Sequence, residues 1–389
     1  MIKLLKNAEV YTPEYIGKKD ILIAGSKIAK IEGSIDIDEN LATIIDLKGK
    51  KIVPGFIDSH VHICGGGGEG SFKSRTPEIQ LTDMTTAGVT TVIGVLGTDG
   101  TTRTMTNLIA KAKGLKEEGV SAFVLTGSYE IPVRTLTGKV TDDIILIEEV
   151  IGCGELAVAD HRSSHPTSDE LLRVASDTRL GGILSGKAGI IGVHMGDSHE
   201  VTDLLLEAID KGALPIKQFV PTHMNRNPYL FEAALKYGKR GGNLDFTTST
   251  TPEFLADGEV KCGKATKLCM EAGIDISQIT YTSDGQGSLP EYDAEGNFKG
   301  VKLGKCETLY EAVKEGMEEE NLKLEDIIKV ITSNPATTFK LKGKGFIEEG
   351  FDADLVILDE NLDIDGVLAL GRVMVENKVA IVKGTFEKQ

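Results

Sequence analysis

Ile52-Val-Pro-Gly-Phe-Ile-Asp-Ser-His60-Val-His62 closes an apolar run on two imidazoles one residue apart. On an extended strand, residues i and i+2 point to the same side, so both rings reach one metal ion. Two histidines at strand spacing also occur on ordinary solvated faces, so the rest of the chain must decide. The chain has seven histidines, and four of them fit a ligand pattern. His194 follows Ala188-Gly-Ile-Ile-Gly-Val, and His223 follows Gln218-Phe-Val-Pro-Thr. Asp284 follows Gln278-Ile-Thr-Tyr-Thr-Ser. Each is a ligand type at the C-terminal end of a short β-prone run.

The spacing of these runs gives the architecture. Successive intervals are 38 residues from His60 to Thr98, 31 to Tyr129, 26 to Glu155, 39 to His194 and 29 to His223. Each holds one helix with loops between two strands, the repeat of a parallel sheet. The 61 residues from His223 to Asp284 hold two units, with Asn243-Leu-Asp-Phe-Thr-Thr-Ser as the intervening strand. The count is eight strands. Eight parallel strands with chemistry at their C-terminal ends describe an α/β (β/α)8 TIM barrel, whose site is built from strand ends and βα loops. A doubly wound open sheet would not naturally bring strands 1, 5, 6 and 8 to one point.

At 389 residues the chain exceeds the roughly 250 of a bare barrel. The excess lies at both ends. Met1-Ile-Lys-Leu-Leu-Lys, Asp20-Ile-Leu-Ile-Ala-Gly, Lys27-Ile-Ala-Lys-Ile and Thr43-Ile-Ile-Asp-Leu read as short strands. Asp354-Leu-Val-Ile-Leu-Asp, Val367 to Met374 and Ala380-Ile-Val-Lys-Gly resume that texture. The expected layout is residues 1–52 and 344–389 forming one small β-sandwich around a 53–343 catalytic barrel.

The formal net charge of −16 disfavours nucleic acid and anionic membranes as partners, because the overall field repels both. Acidic runs such as Met317-Glu-Glu-Glu read as solvated helix faces. No apolar stretch approaches the roughly 18 residues needed to span a bilayer, and Met1-Ile-Lys-Leu-Leu-Lys lacks the apolar region of a signal peptide. A cytoplasmic location is expected. The five cysteines lack C-x-x-C spacing and read as reduced thiols, and Cys64, two residues after His62, is not taken as a ligand.

Pro54-Gly-Phe-Ile-Asp-Ser-His-Val-His resembles the strand-1 metal motif of the amidohydrolase superfamily, and Glu349-Gly-Phe-Asp-Ala-Asp-Leu-Val its return to the β-sandwich. Further motifs resemble the isoaspartyl (β-aspartyl) dipeptidases of that superfamily. They are His62-Ile-Cys-Gly-Gly-Gly-Gly-Glu69, Arg75-Thr-Pro-Glu, Leu96-Gly-Thr-Asp99, Leu125-Thr-Gly-Ser-Tyr129, Asp160-His-Arg-Ser163, His194-Met-Gly-Asp-Ser198, Pro221-Thr-His-Met-Asn-Arg-Asn227, Ser283-Asp-Gly-Gln-Gly-Ser288 and Val382-Lys-Gly-Thr-Phe-Glu. They run nearly end to end.

The resemblance implies a hydrolase that cleaves the isopeptide bond of β-aspartyl dipeptides with two zinc ions per subunit. His60 and His62 would hold one ion, and His194 and His223 the other, with a hydroxide between them. Neutral imidazole and carboxylate suit zinc, which brings bound water towards a pKa of about 7. Asp284 would ligate the first ion and act as general base, then general acid; its plainer reading is a helix N-cap. The family resemblance leads one to expect a carboxylated lysine bridge on strand 4, yet Val150-Ile-Gly-Cys-Gly-Glu-Leu-Ala-Val-Ala-Asp160 has no lysine. Glu155 occupies the nearest matching place. A carboxylated lysine is a carboxylate on a longer arm, so Glu155 can bridge if the strand backbone comes closer; otherwise it is a strand-end glutamate beside a mononuclear site.

A β-aspartyl dipeptide offers an ammonium group, two carboxylates and a side-chain amide. The Gly65–Gly68 run lets backbone approach a small ligand, and Glu69 at its end pairs with the ammonium. No Gly-Lys-Ser/Thr follows, so it is not a phosphate loop. The resemblance further implies that Arg162 and Arg226 bind substrate carboxylates, that Thr98 and Ser288 add hydrogen bonds, and that Tyr129 donates to the oxyanion. Each arginine has an alternative as a structural ion pair, and Tyr129 as a core aromatic. Thr135-Leu-Thr-Gly-Lys-Val140 reads as a flexible loop over the substrate. His161, His165 and His199 carry no catalytic role. The resemblance also suggests a homo-oligomer of octamer size, a number no sequence feature specifies.

Two other readings share the framework. One is a cyclic amide hydrolase of dihydroorotase or hydantoinase type, against which Glu69 argues, since a cyclic amide has no ammonium to bind. The other is a non-catalytic amidohydrolase-like assembly protein, from which metal ligands would be missing.

Overall fold

The computed structural model describes residues 2–292 and 298–388. Five strands precede the barrel: β1 (Ile2–Tyr11), β2 (Tyr15–Ala24), β3 (Lys27–Glu32), β4 (Thr43–Asp46) and β5 (Lys51–Pro54). Eight parallel strands follow, β6 (Phe56–Val61), β7 (Val89–Gly94), β8 (Ser121–Thr126), β9 (Val150–Val158), β10 (Ile190–Met195), β11 (Phe219–Thr222), β12 (Leu244–Thr247) and β13 (Ile279–Thr282). A hairpin, β14 (Ser288–Tyr292) and β15 (Phe298–Leu303), leads to the last barrel helices. The chain ends in β16 (Leu355–Leu358), β17 (Ile364–Ala369), β18 (Arg372–Glu376) and β19 (Val379–Ala380).

β6 to β11 form one sheet in chain order, and β12 pairs with β13. The ring closes at the C-terminal ends of the strands. Met224 N donates to Asp245 O at 3.2 Å across one seam, and His62 N donates to Gly285 O at 2.9 Å across the other. The expected barrel is therefore present, and its seams meet where the histidines stand. Ile57, Ile93, Leu125, Ile151, Ile190 and Val220, one aliphatic side chain from each of β6 to β11, form a cluster closed by Phe339 and Leu341. This is a packed core, which leaves only the strand ends free for chemistry.

Helices between strands show their sequence causes. Ser168–Ser185 starts with a capping box, Thr167 accepting from Glu170 N and Glu170 reaching back to Thr167 N at 2.9 Å, and ends at Gly186 with φ 71°. Met105–Glu118 is capped by Thr104 and stopped by Gly119 at φ 114°. The first unit departs from the simple repeat: its helix is only Leu81–Thr85, and residues 62–80 form a long loop instead.

Both chain ends enter one nine-stranded mixed sheet, joined where β5 pairs antiparallel with β16. One face encloses a separate core of Leu5, Val10, Ile21, Ile23, Ile52, Leu355 and Leu368. Val53, Val356 and Val367 belong instead to the main core shared with the barrel helices. The β-prone stretch from Val367 to Met374 divides between β17 and β18, because Leu370 and Gly371 turn at φ 47° and 73°. All five cysteines are buried, and none forms a disulfide. Among the described residues no helix is long and apolar enough to cross a membrane.

Candidate active site

Glu155 lies within β9, three residues before the strand ends, between two histidine pairs. Its Oε2 is 3.3 Å from His60 Nε2 and 4.0 Å from His62 Nε2. Its Oε1 is 2.8 Å from His194 Nδ1 and 3.6 Å from His223 Nε2. Asp284 Oδ1 sits 3.1 Å from His62 Nε2 and 4.0 Å from His60 Nε2. Two buried ligand triads, His60–His62–Glu155 and Glu155–His194–His223, thus share one carboxylate. The short arm of a glutamate is matched by the backbone. A Cβ at Gly154, whose φ is 147°, would lie 2.7 Å from Gly192 O, and one at Gly152 would run into Ile190 O. Glycine at both places lets β9 close on β10. His223 and Asp284 themselves take left-handed backbone, φ 65° and 53°, a conformation uncommon for residues with a side chain.

The charges in this cluster are set by one another. Burial opposes a charge on Glu155, but His60, His194 and His223 together outweigh it and hold the carboxyl well below its ordinary range. Asp284 is likewise kept low against burial, with His62 its main partner. Burial pushes the His223 imidazole down to about 3. His60 goes the other way, to about 9, because Glu155 overcomes the same burial. The cluster therefore attracts positive charge, and at His223 it has a neutral imidazole to offer.

Whether it suits a metal is tested by its unpaired atoms. His60 Nε2, His62 Nδ1, Glu155 Oε2 and Asp284 Oδ1 are buried without a hydrogen-bond partner among the described residues. Buried polar atoms are nearly always paired, and three of these four face one another across a few ångströms. His194 adds a sharper sign. Its Nε2–H donates to Asp160 Oδ2 at 3.0 Å, assigning the tautomer from the network, which leaves the Nδ1 lone pair facing Glu155 Oε1. His223 donates from Nδ1 to Thr247 Oγ1 at 2.6 Å and turns Nε2 inward. Orienting an imidazole through its outer N–H is how metal-binding histidines are held. The residues fit two divalent cations.

Above this floor opens a cleft of about 1360 Å3. Tyr129 donates its hydroxyl to His194 Nδ1 at 2.9 Å, and burial, then Glu155, keeps the phenol protonated well above its ordinary range. Arg162 grips Asp160 with Nε at 3.0 Å and Nη2 at 2.7 Å, and its Nη1 lies 3.4 Å from Glu69 Oε1. Ser288 Oγ donates to Glu69 Oε2 at 2.9 Å. Glu69 and Arg162, from two different loops, and Ser288, the first residue of β14, thus converge. Thr98 lines the cleft. Arg226 lines it too, but its Nη1 is committed to Ser249 O at 2.9 Å and Glu259 Oε2 at 2.8 Å, with Phe254 under the guanidinium. The ion-pair alternative weighed for Arg226 describes that one nitrogen.

Asp284 caps no helix, since the hairpin starting at Ser288 follows it. The stretch 135–140 is not a free loop over the cleft. Leu136 N, Thr137 N and Thr137 Oγ1 all donate to the buried Asp143 carboxylate at 2.7 to 2.9 Å, which ties the segment down outside the lining. Asp160 and Thr247 are functional positions the sequence reading did not assign; an acid two residues before Arg162 was the available signal for the first. Asp245 was also missed. It is buried below the histidines and accepts from Thr222, Thr280 and Thr282 hydroxyls, each at 2.6 Å.

The amidohydrolase family model matches residues 52–213 and 263–386. The crystal structure of β-aspartyl dipeptidase from Fervidobacterium islandicum AW-1 in complex with β-Asp-Leu dipeptide is 44% identical over 98% of each chain, with a TM-score of 0.90. A second structure of β-aspartyl dipeptidase from that organism is 41% identical over 98% of each chain, at 0.88. Among curated proteins, L-hydantoinase of Paenarthrobacter aurescens is 25% identical over 93% of this chain and 86% of its own. Dihydroorotase of Elusimicrobium minutum is 24% identical over 92% and 88%.

Proposed function

The chain belongs to the amidohydrolase family and resembles its β-aspartyl dipeptidases nearly end to end, and we propose that it is a zinc-dependent isoaspartyl dipeptidase. The observation that carries this reading is the placement of a carboxylate, Glu69, and a guanidinium, Arg162, 3.4 Å apart on the wall above the paired ligand triads. A β-aspartyl dipeptide brings the opposite charges, an ammonium for Glu69 and a carboxylate for Arg162.

Zinc held by His60, His62 and Asp284 and by His194 and His223, with Glu155 between, would supply Lewis acidity that polarises the scissile carbonyl and makes water nucleophilic near neutral pH. Everything else is done by side chains. Asp284, kept ionised by His62, takes the proton of the attacking water and returns it to the leaving amine. Tyr129, protonated and hydrogen-bonded beside His194, donates to the oxygen as it gains charge. Glu69 orients the aspartyl ammonium, Thr98 and Ser288 hydrogen-bond the same end, and Arg162 with the free nitrogens of Arg226 takes the carboxylates. Asp160 holds Arg162 and His194 at once, so the leaving residue and the second metal position share one anchor. We place the enzyme in the cytoplasm as a homo-oligomer.

The test is hydrolysis of β-Asp-Leu by zinc-loaded protein, with α-Asp-Leu and dihydroorotate run alongside. Turnover limited to the β-linked dipeptide is expected. The competing reading, a cyclic amide hydrolase, is favoured by the near full-length likeness to a dihydroorotase and a hydantoinase at 24 and 25% identity. Cleavage of dihydroorotate alone would establish it and remove the dipeptidase reading.

A further inference from the structure

Arg103 is 3% exposed and touches none of the residues assigned above to metal or substrate. Its guanidinium spans a gap in the backbone. Nε donates to Cys64 O at 3.1 Å and Nη2 to Thr76 O at 2.9 Å, at the two ends of the glycine-rich loop that carries Glu69. Gly65 makes room for it: at φ 77°, a Cβ there would strike Thr76 O and lie 2.9 Å from Arg103 Nη2. The third nitrogen, Nη1, has no hydrogen-bond partner among the described residues and lies 3.7 Å from Asp99 Oδ2.

Asp99 is the other half of the device. It follows Thr98 directly, and its Oδ1 collects the Thr101 and Thr102 amides at 3.1 and 2.7 Å, fixing the turn after β7. Its Oδ2 also receives Arg75 Nη1 at 3.0 Å, and Arg75 bridges back to Gly67 in the glycine-rich loop. A buried guanidinium with a fixed fork of donors suits this task, since each carbonyl it leaves would otherwise be unpaired.

We propose that Arg103, through Asp99, is a positioning residue that locks the 64–76 loop to the 97–103 loop and so sets Glu69 and Thr98 at the separation that selects a free aspartyl end. The inference rests on the dipeptidase reading. Arg103 acts on the aspartyl end of the substrate, because Arg162, Arg226, Glu155, His194 and His223 stand on other strands; His62 lies two residues before Cys64, which is why zinc content is followed beside the kinetics.

Steady-state kinetics of zinc-loaded Arg103→Met, Arg103→Lys and Asp99→Asn with β-Asp-Leu and N-acetyl-β-Asp-Leu test this. For Arg103→Met, KM for β-Asp-Leu is expected to rise about ten-fold or more with kcat within about three-fold, the mark of lost substrate positioning. Preference for the free over the acetylated amine should fall by about the same factor, zinc content should stay at wild-type level, and Arg103→Lys should recover part of the loss. Asp99→Asn, isosteric and at a half-buried position, gives the same reading where Arg103→Met does not fold. Equal losses on both substrates, a fall confined to kcat, or unchanged kinetics in Asp99→Asn and Arg103→Met would overturn the proposal. A wild-type protein inactive on β-Asp-Leu would overturn the dipeptidase reading and this inference with it.

Discussion

Replacing Glu155 with glutamine keeps shape and removes one charge at the point where two ligand triads meet. The size of the effect follows from His60. Its imidazole is held at about 9 against an ordinary 6.5, with burial opposing and Glu155 the largest favourable cause. That corresponds to about 3 kcal/mol of net attraction for a single positive charge, or about 10^2 in an equilibrium constant. A divalent cation feels more of the same field, and Glu155 serves both positions through separate oxygens. Zinc affinity at each position should therefore drop by at least about 10^2-fold in Glu155→Gln. Equilibrium dialysis against buffered free zinc, followed by metal analysis, measures this directly. Two equivalents bound to Glu155→Gln with wild-type affinity would refute the bridge. Because this carboxylate is encoded, reconstitution should run equally well in bicarbonate and in CO2-free buffer; dependence on bicarbonate would point to a carboxylated lysine instead.

Three further outcomes are expected. Tyr129→Phe should lower kcat by about 10^2- to 10^3-fold while leaving KM near wild type, as for loss of one oxyanion donor; a pure KM effect would contradict its role. Asp160→Asn should weaken zinc binding by about 10- to 100-fold and raise KM for the dipeptide, since His194 and Arg162 both lose their anchor; normal values of both would dismiss it. Burial pushes the Asp245 carboxyl up to about 6 despite its three hydroxyl partners. A raised carboxyl stabilises the fold below its unfolded value and loses that contribution as pH climbs through the folded one. Relative to Asp245→Asn, the wild type should thus lose about 3 kcal/mol of stability between about pH 4 and pH 7 in denaturation at matched zinc, whereas a pH-independent difference would show that the carboxyl titrates alike in the folded and unfolded chain.

The strand count and the clustering of the four histidines with Asp284 were legible because candidate ligands sit at strand ends, and a period of one strand plus one helix is written into the spacing. Glu155 was legible by position, but the reason it can reach was not. That lies in Gly152 and Gly154 against Ile190 and Gly192 on the neighbouring strand, a pairing no single segment reveals. Arg226 looked like Arg162 in sequence, yet one is tied by a buried glutamate 33 residues downstream and the other by an aspartate two residues upstream. The 135–140 segment read as loose from its polar composition; the acceptor that pins it, Asp143, sits in the first turn of the next helix. Composition reports polarity, whereas anchoring depends on which acceptor the fold brings near.

The pairing of Lys51–Pro54 with Leu355–Leu358 has a temporal side. At about 5 to 20 residues per second, roughly 15 to 60 s of translation separate the emergence of one strand from that of its partner. Throughout, β5 presents an open row of amides and carbonyls, with Ile52 and Val53 awaiting cover, the kind of edge that invites pairing with a foreign chain. The emergence of Leu355–Leu358 is therefore the step that shields β5, and a ribosome halted before Leu355 would release a chain with that edge still bare.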